Sequence, residues 1–286
     1  MADIPPFAVT SAFCVTDSAA VGPLVFASPH SGRDYPQALL RRTRLPLRSL
    51  RKGEDRYVDL LIGEVDAPRV LAGVARAWID LNRDPAELDP LLFDTLPSVV
   101  RASDRVAAGL GVIPRAFAPG QPIYTATLPL AEAHDRIAQA HMPYHAAIAG
   151  LLARARARHG YAVLIDCHSM PSQSGCARVV LGDLHGRAAA SEIADAAAAA
   201  LGAVGLPVSR NIPYAGAYTL ERHGRPADCV HALQIEIDRA LYLDSERMTL
   251  LPRAAALTAQ LARFAVELGA VLERGASARA FAVAAE

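Results

Sequence analysis

The chain has 286 residues, of which 52% are hydrophobic, and its 29 basic and 29 acidic residues give a formal net charge of zero. This composition excludes an intrinsically disordered chain, and the balanced charge argues against nucleic acid or an anionic membrane surface as a partner. A cytoplasmic location is expected because the first ten residues lack a secretion signal, no apolar stretch of about 18 residues indicates a membrane span, and the 4 cysteines form no CxxC pair.

Short apolar runs alternate along the chain with longer runs of helical spacing, which is typical of an α/β protein. The short runs, interpreted as strands, span residues 24–27, 74–81, 162–165, 177–181 and 230–237. The long runs, rich in helix-favouring Ala, Leu and Arg, span residues 56–65, 130–159, 187–201 and 250–272. We therefore expect an α/β fold with a mostly parallel or mixed central sheet flanked by helices.

Residues 84–129 concentrate proline and glycine and have weak periodicity. Loops of this length are usually functional. We interpret the segment as a long, loop-rich excursion from a single domain that spans residues 1–286.

Polar side chains follow or interrupt four of the predicted strands. In an open parallel sheet, ligands bind beyond the carboxyl ends of the strands, so these side chains are the first candidates for a functional site. The segments that carry them are Ser28-Pro29-His30-Ser31-Gly32, Asp80-Leu81-Asn82-Arg83, Asp166-Cys167-His168-Ser169 and Ile235-Glu236-Ile237.

His30 and His168 are candidate zinc ligands, because neutral imidazole binds Zn²⁺ and catalytic zinc sites combine about three protein ligands with water. A lone histidine is more often a hydrogen-bonded structural residue, so the hypothesis depends on several strand ends converging. A third ligand is required. The acidic pair Glu54-Asp55, just before the predicted helix at 56–65, could supply it.

Glu236 is a lone carboxylate among residues that alternate like a half-buried strand. Beside a metal it would be a general base that takes a proton from water and passes it to the leaving amine. A buried salt bridge with an arginine such as Arg239 is the alternative. Asn82 and Arg83 combine an amide with a planar guanidinium that can bind a carboxylate through two hydrogen bonds; their alternative is a helix cap and a surface charge.

His141 and His145 have the i, i+4 spacing of zinc proteases, but the residues between them lack the glutamate of that motif. We expect a structural role, for example an imidazole that holds a loop through a hydrogen bond. Arg178 and Tyr214 are further candidates for substrate contacts.

Several separated segments together resemble the N-formylglutamate amidohydrolase family and, more distantly, zinc carboxypeptidases. In the order expected for that family, they are SPHSGRDYP from Ser28, EDRYVDLL from Glu54, Asn82-Arg83, HMPYH from His141, IDCHSM from Ile165, VVLGD from Val179, NIPYAG from Asn211 and LQIEIDRALY from Leu233. The resemblance implies a carboxypeptidase-like (phosphorylase/hydrolase-like) fold. It also implies zinc-dependent hydrolysis of N-formyl-L-glutamate to formate and L-glutamate, a step of histidine degradation.

The resemblance also implies roles for individual residues. It places zinc on His30 and His168, a substrate carboxylate on Asn82 and Arg83, and the general base at Glu236.

The acidic zinc ligand departs from the carboxypeptidase pattern, which has it three residues after the first histidine. Arg33 occupies that position here and Asp34 follows it. Asp55 is favoured over Glu54 and Asp34, because the resemblance to the formylglutamate family includes an acidic residue just before the helix at 56–65.

Three arginines could interact with the substrate, an acidic N-acyl amino acid. Arg83 and Arg178 are candidates for stabilising the oxyanion, and Arg115 could hold the second carboxylate. The alternatives are the same zinc site acting on another N-acyl amino acid or a small peptide, and a non-catalytic metal- or ligand-binding protein with this fold.

Overall fold

The computed structural model describes residues 11–18, 22–117 and 121–284, and only the backbone of residues 276–284. The segment that lacks a predicted secretion signal, residues 1–10, lies outside the described residues. The predicted excursion at 84–129 is described except for residues 118–120.

The strands of the described residues form one large sheet and one small ribbon. They are β1 (Phe13–Thr16), β2 (Leu24–Ser28), β3 (Arg69–Ala72), β4 (Ala162–Met170), β5 (Val179–Gly182), β6 (Val208–Arg210), β7 (Val230–Asp238), β8 (Leu243–Asp244) and β9 (Thr249–Leu250). The seven-stranded sheet has the order β1-β3-β2-β4-β7-β5-β6, and β8 pairs with β9. β4 runs parallel to β2 and β7, whereas β5 runs antiparallel to β7 and parallel to β6. The prediction of an α/β fold with a mixed sheet is confirmed.

The helices of the described residues are α1 (Gln37–Arg42), α2 (Leu47–Leu50), α3 (Val58–Leu61), α4 (Asp104–Ala107), α5 (Leu130–Arg136), α6 (Met142–His159), α7 (Ser191–Ala203), α8 (Tyr218–His223) and α9 (Ala254–Ala284). A π-helical turn, Ile137–His141, joins α5 to α6. Pro143 lies just after this turn and has no backbone N–H to donate, which is a common cause of a local break in the α-helical bonding pattern.

The contacts within the chain define two compact units. The first comprises Met1–Val15, Ser28–Arg56 and Val70–Ile148, and its core includes the fully buried side chains of Trp78 and Tyr144.

The second unit comprises Thr16–Ala27, Tyr57–Arg69 and Ala149–Glu286. It contains β4, β5 and β7, and its core includes Phe26, Tyr242 and Phe264.

The strand predicted at 74–81 is wrong. Most of that run is buried, which explains its apolar character, but its backbone turns: the Trp78 N–H donates to the Ala75 carbonyl oxygen at 2.8 Å, and that of Asp80 donates to Val112 at 2.8 Å. The strand of this region, β3, ends at Ala72. Periodicity cannot distinguish a short, continuously apolar strand from another fully buried segment.

Other predicted elements occur with different boundaries. β4 continues to Met170, so Asp166 and His168 lie within the strand and not after it. The helix predicted at 56–65 is reduced to α3, because Tyr57 adopts a left-handed conformation (φ 67°) immediately before it.

Residues Ala254–Gly275 of α9 are long and apolar enough to cross a membrane by length and composition alone, with a mean hydropathy of 1.4. A core helix passes the same test. The buried residues Leu257, Leu261, Phe264 and Leu268 recur at helical spacing, and α9 packs against α7. We therefore interpret α9 as an amphipathic helix of the second unit's core.

Candidate active site

His30 and Asp55 meet in the first unit although they are distant in sequence. The Asp55 N–H donates to the His30 carbonyl oxygen at 2.9 Å, and Asp55 Oδ2 lies 3.3 Å from His30 Nδ1. Gly32 allows the close turn after His30, since a Cβ there would lie 2.0 Å from the Val74 carbonyl oxygen. Two predicted metal ligands are thus adjacent.

Asp80 binds the opposite edge of the His30 ring. Its Oδ1 lies 2.7 Å from His30 Nε2, and its Oδ2 accepts a hydrogen bond from Arg76 Nε at 2.8 Å. Burial would raise the pKa of Asp80, but the positive charges of Arg76 and Arg83 and the interaction with His30 hold that pKa well below its usual value. Asp80 is therefore an ionised carboxylate that accepts a hydrogen bond from Nε2–H of His30, which leaves Nδ1 facing Asp55.

Glu54, the alternative to Asp55, is held by other partners. Its carboxylate accepts hydrogen bonds from the Tyr35 hydroxyl and from Arg56 Nη1. Burial and the negative charge of Glu54 raise the pKa of Tyr35, so its hydroxyl remains a donor. Asp34 forms an isolated backbone bridge with Val74. Among the three carboxylates considered, Asp55 is the one placed beside His30.

The segment that carries Asn82 and Arg83 is held through three successive carbonyl groups. His145 Nε2 lies 2.8 Å from the Leu81 oxygen, His141 Nε2 lies 2.8 Å from the Arg83 oxygen, and Arg83 Nη1 donates to the Asn82 oxygen at 2.8 Å. The expectation that the two histidines hold a loop through hydrogen bonds is confirmed.

Arg83 and Arg115 have part of their hydrogen-bonding capacity engaged within the first unit. Arg83 is 7% exposed and donates through Nε to the Leu110 carbonyl oxygen at 3.0 Å. Arg115 Nε donates to Asp89 Oδ2 at 2.6 Å. These contacts engage Nε of both guanidinium groups and, in Arg83, Nη1 as well.

In the second unit, four buried polar side chains lie on one face of β4 and β7. Asp166 is in register with Gln234, and His168 is in register with Glu236. We call this set the polar square, since residues two apart on a strand and register partners on parallel strands share a face. Asp166 Oδ2 lies 2.9 Å from His168 Nε2, and Gln234 Nε2 donates to Glu236 Oε1 at 3.0 Å. Each of the two predicted reactive residues, His168 and Glu236, is thus hydrogen-bonded to the side chain two positions before it on the same strand.

Arg178 and Tyr214 also belong to the second unit. Arg178 is half exposed and forms an ion pair with Asp238 at 2.8 Å. The Tyr214 hydroxyl accepts a hydrogen bond from Gln173 Nε2 at 3.0 Å, and burial and the negative charge of Glu236 raise its pKa.

The sequence left a salt bridge with Arg239 as the alternative to a catalytic role for Glu236. In the structure, Arg239 Nε donates to Ser169 Oγ at 3.1 Å.

Sequence reasoning assigned no individual role to Asp80, Asp166 or Gln234. Each could have been found in the sequence. Asp80 and Asp166 lie in segments singled out for their polar side chains, and Gln234 lies two positions before the lone carboxylate Glu236.

The chain as a whole matches a known protein family. Residues 22–243 match the family model described as N-formylglutamate amidohydrolase. An N-formylglutamate deformylase of Pseudomonas aeruginosa is 30% identical over 238 residues, covering 78% of this chain and 83% of the relative. A deformylase of Pseudomonas putida is 27% identical over 234 residues, covering 78% and 82% of the two chains.

Two solved structures have the same fold. The crystal structure of N-formylglutamate amidohydrolase from Ralstonia eutropha JMP134 superposes with a TM-score of 0.87 at 31% identity and covers 93% of this chain and 99% of its own. Gene product Atu2144 from Agrobacterium tumefaciens superposes with a TM-score of 0.62 at 20% identity over 92% and 95% of the two chains; at that identity it supports the fold alone.

Proposed function

The chain belongs to the N-formylglutamate amidohydrolase family, and we propose that it is a zinc-dependent N-formylglutamate deformylase of cytoplasmic histidine degradation. Its reaction would be the hydrolysis of N-formyl-L-glutamate to formate and L-glutamate. The observation that carries the proposal is the family match over residues 22–243, which contains every residue given a role below.

We propose His30, Asp55 and His168 as the zinc ligands. Each is buried and offers one ligand atom, and imidazole and carboxylate are donor types of catalytic zinc sites. Asp80 and Asp166 hold the Nε2 atoms of the two histidines, as carboxylates commonly do around zinc-binding imidazoles. Nδ1 of each ring would then be the ligating nitrogen. When bound, zinc supplies Lewis-acid polarisation of the amide carbonyl and lowers the pKa of a water molecule.

Glu236 is proposed as the general base. Its carboxylate accepts a proton from the attacking water while the water oxygen bonds to the formyl carbon. The carbon–nitrogen bond then breaks, and Glu236 returns the proton to the leaving amine. Formate and the free amino group of glutamate result, and the base is regenerated.

The substrate has two carboxylates that need fixed donors. We propose that Asn82 and Arg83 bind one, with their backbone held by His141 and His145, and that Arg115 binds the other. Arg83 or Arg178 is the proposed donor to the developing oxyanion, and Tyr214 is a proposed substrate contact.

The reaction and its metal dependence are tested together by measuring formate release from N-formyl-L-glutamate. We expect activity in the purified protein, loss of activity after chelation, and recovery on addition of about one equivalent of zinc. Other N-acyl amino acids and small peptides serve as the comparison panel. If the protein hydrolyses another member of the panel and not N-formyl-L-glutamate, that compound class is its substrate. The absence of both activity and zinc binding would favour the non-catalytic alternative.

The choice of acidic ligand is tested with Asp55→Asn and its neighbour Glu54→Gln. We expect Asp55→Asn to weaken zinc binding by more than about tenfold, since even residues that only support zinc ligands contribute 10- to 100-fold. Glu54→Gln should retain zinc and lose thermal stability, because Tyr35 and Arg56 lose a charged acceptor. Competition with a chelating dye measures affinity, and a melting curve measures stability. The reverse pattern would assign Glu54 as the ligand.

A further inference from the structure

Gln234 is a polar residue in a position that burial alone would give to an apolar one. It is 3% exposed in the middle of β7, and its Oε1 has no hydrogen-bond partner among the described residues. An unsatisfied buried carbonyl oxygen reduces stability, so an apolar side chain of similar volume would be at least as favourable there. The amide therefore needs a reason other than folding.

Its nitrogen supplies that reason. Gln234 Nε2 donates to Glu236 Oε1 at 3.0 Å. Asp166, the register partner of Gln234 on β4, also has a buried oxygen, Oδ1, without a partner among the described residues. Both carboxylates are acceptors, yet the amide N–H is directed at Glu236. The Gln234 amide thus donates to Glu236, the carboxylate that has the proposed role of general base.

The other side of Gln234 is closed by backbone. Its register partner on β5 is Gly182, where a Cβ would lie 2.6 Å from the Ala215 carbonyl carbon. No side chain from that position can reach Glu236 in place of the amide. Within the polar square, Gln234 therefore supports Glu236 as Asp166 supports His168.

We propose that Gln234 is the positioning residue of the general base, which rests on the proposed function. Its N–H fixes one oxygen of the Glu236 carboxylate, so that the other keeps a constant direction towards the proton it accepts. The contribution is to kcat, because a misdirected base leaves substrate binding intact while misplacement of about 1 Å can reduce rate 100-fold.

Gln234→Met tests the proposal, since methionine has a similar shape and no donor. We expect kcat to fall about 10- to 100-fold with KM changed less than about twofold, and the melting temperature to stay the same or rise. Gln234→Glu should lose more activity, because it places a second carboxylate beside Glu236. Gln260→Met is the matched control: Gln260 Nε2 donates to the Val204 carbonyl oxygen at 2.8 Å, and its loss should affect stability without affecting kcat.

A crystal structure of each protein gives a readout independent of turnover. The wild type should have one Glu236 conformer bonded to Gln234, and Gln234→Met should have a displaced or divided one. Unchanged kcat, an unmoved Glu236 carboxylate, or a fall in kcat matched by a fall in melting temperature would each overturn the positioning role. Failure of the wild type to hydrolyse N-formyl-L-glutamate would instead reject the proposed substrate, and the Glu236 conformation would still decide the role of Gln234.

Discussion

Glu236→Gln is expected to reduce kcat for formate release by about 10²- to 10⁴-fold, the usual contribution of a general acid–base group. The amide has the same shape as the carboxylate but cannot accept the proton of the attacking water. KM should change little, since the proposed carboxylate contacts come from Asn82, Arg83 and Arg115. Zinc content should also be retained, because Glu236 is not a proposed ligand. Steady-state kinetics and elemental analysis on the same preparation measure these quantities.

The control for that variant is Glu246→Gln, which makes the same chemical change at an exposed residue. It should behave as wild type. Near-wild-type turnover of Glu236→Gln would remove Glu236 from the role of base. Loss of zinc together with activity would instead indicate that this carboxylate contributes to metal binding.

His168→Ala is expected to abolish stoichiometric zinc binding and, with it, formate release. A catalytic zinc site has about three protein ligands, and the two that remain, His30 and Asp55, would hold the ion weakly. We expect zinc content after dialysis to fall from about one equivalent to a small fraction, and activity to fall in proportion. The variant removes a side chain bonded to Asp166, so its melting curve is needed to verify folding.

His134→Ala provides the comparison for His168→Ala. His134 is exposed on α5, so its loss should leave zinc content and activity unchanged. A folded His168→Ala protein that retains one equivalent of zinc would show that the ligand assignment is wrong.

The candidate reactive residues stand out in the sequence because each follows or interrupts a buried apolar run. Glu236 is one example: a lone carboxylate between Ile235 and Ile237 has few structural explanations. The supporting residues carry a weaker signal. Asp80, Asp166 and Gln234 each contact a candidate reactive side chain through one hydrogen bond, and only the folded chain determines which of several nearby groups that bond joins.

The fold was predictable where backbone pairing and side-chain pattern agree. β2, β5 and β7 begin and end within two residues of the predicted runs. The run at 74–81 was misassigned because its burial comes from turns packed on all sides and not from a sheet. The roles of His141 and His145 were predictable in kind, but the carbonyl groups that they bind lie some sixty residues earlier in the chain and depend on tertiary structure.

The polar square has a consequence for how members of such a family could diverge. The spacing of its four side chains follows from the pairing of β4 with β7, and a slip of one residue would turn every one of them to the opposite face of the sheet. Backbone hydrogen bonds in the buried centre of the sheet thus fix the spacing of these four side chains and the face on which they lie. Surrounding loops can lengthen, shorten or change composition to admit a different acyl group, while the inherited chemistry stays intact.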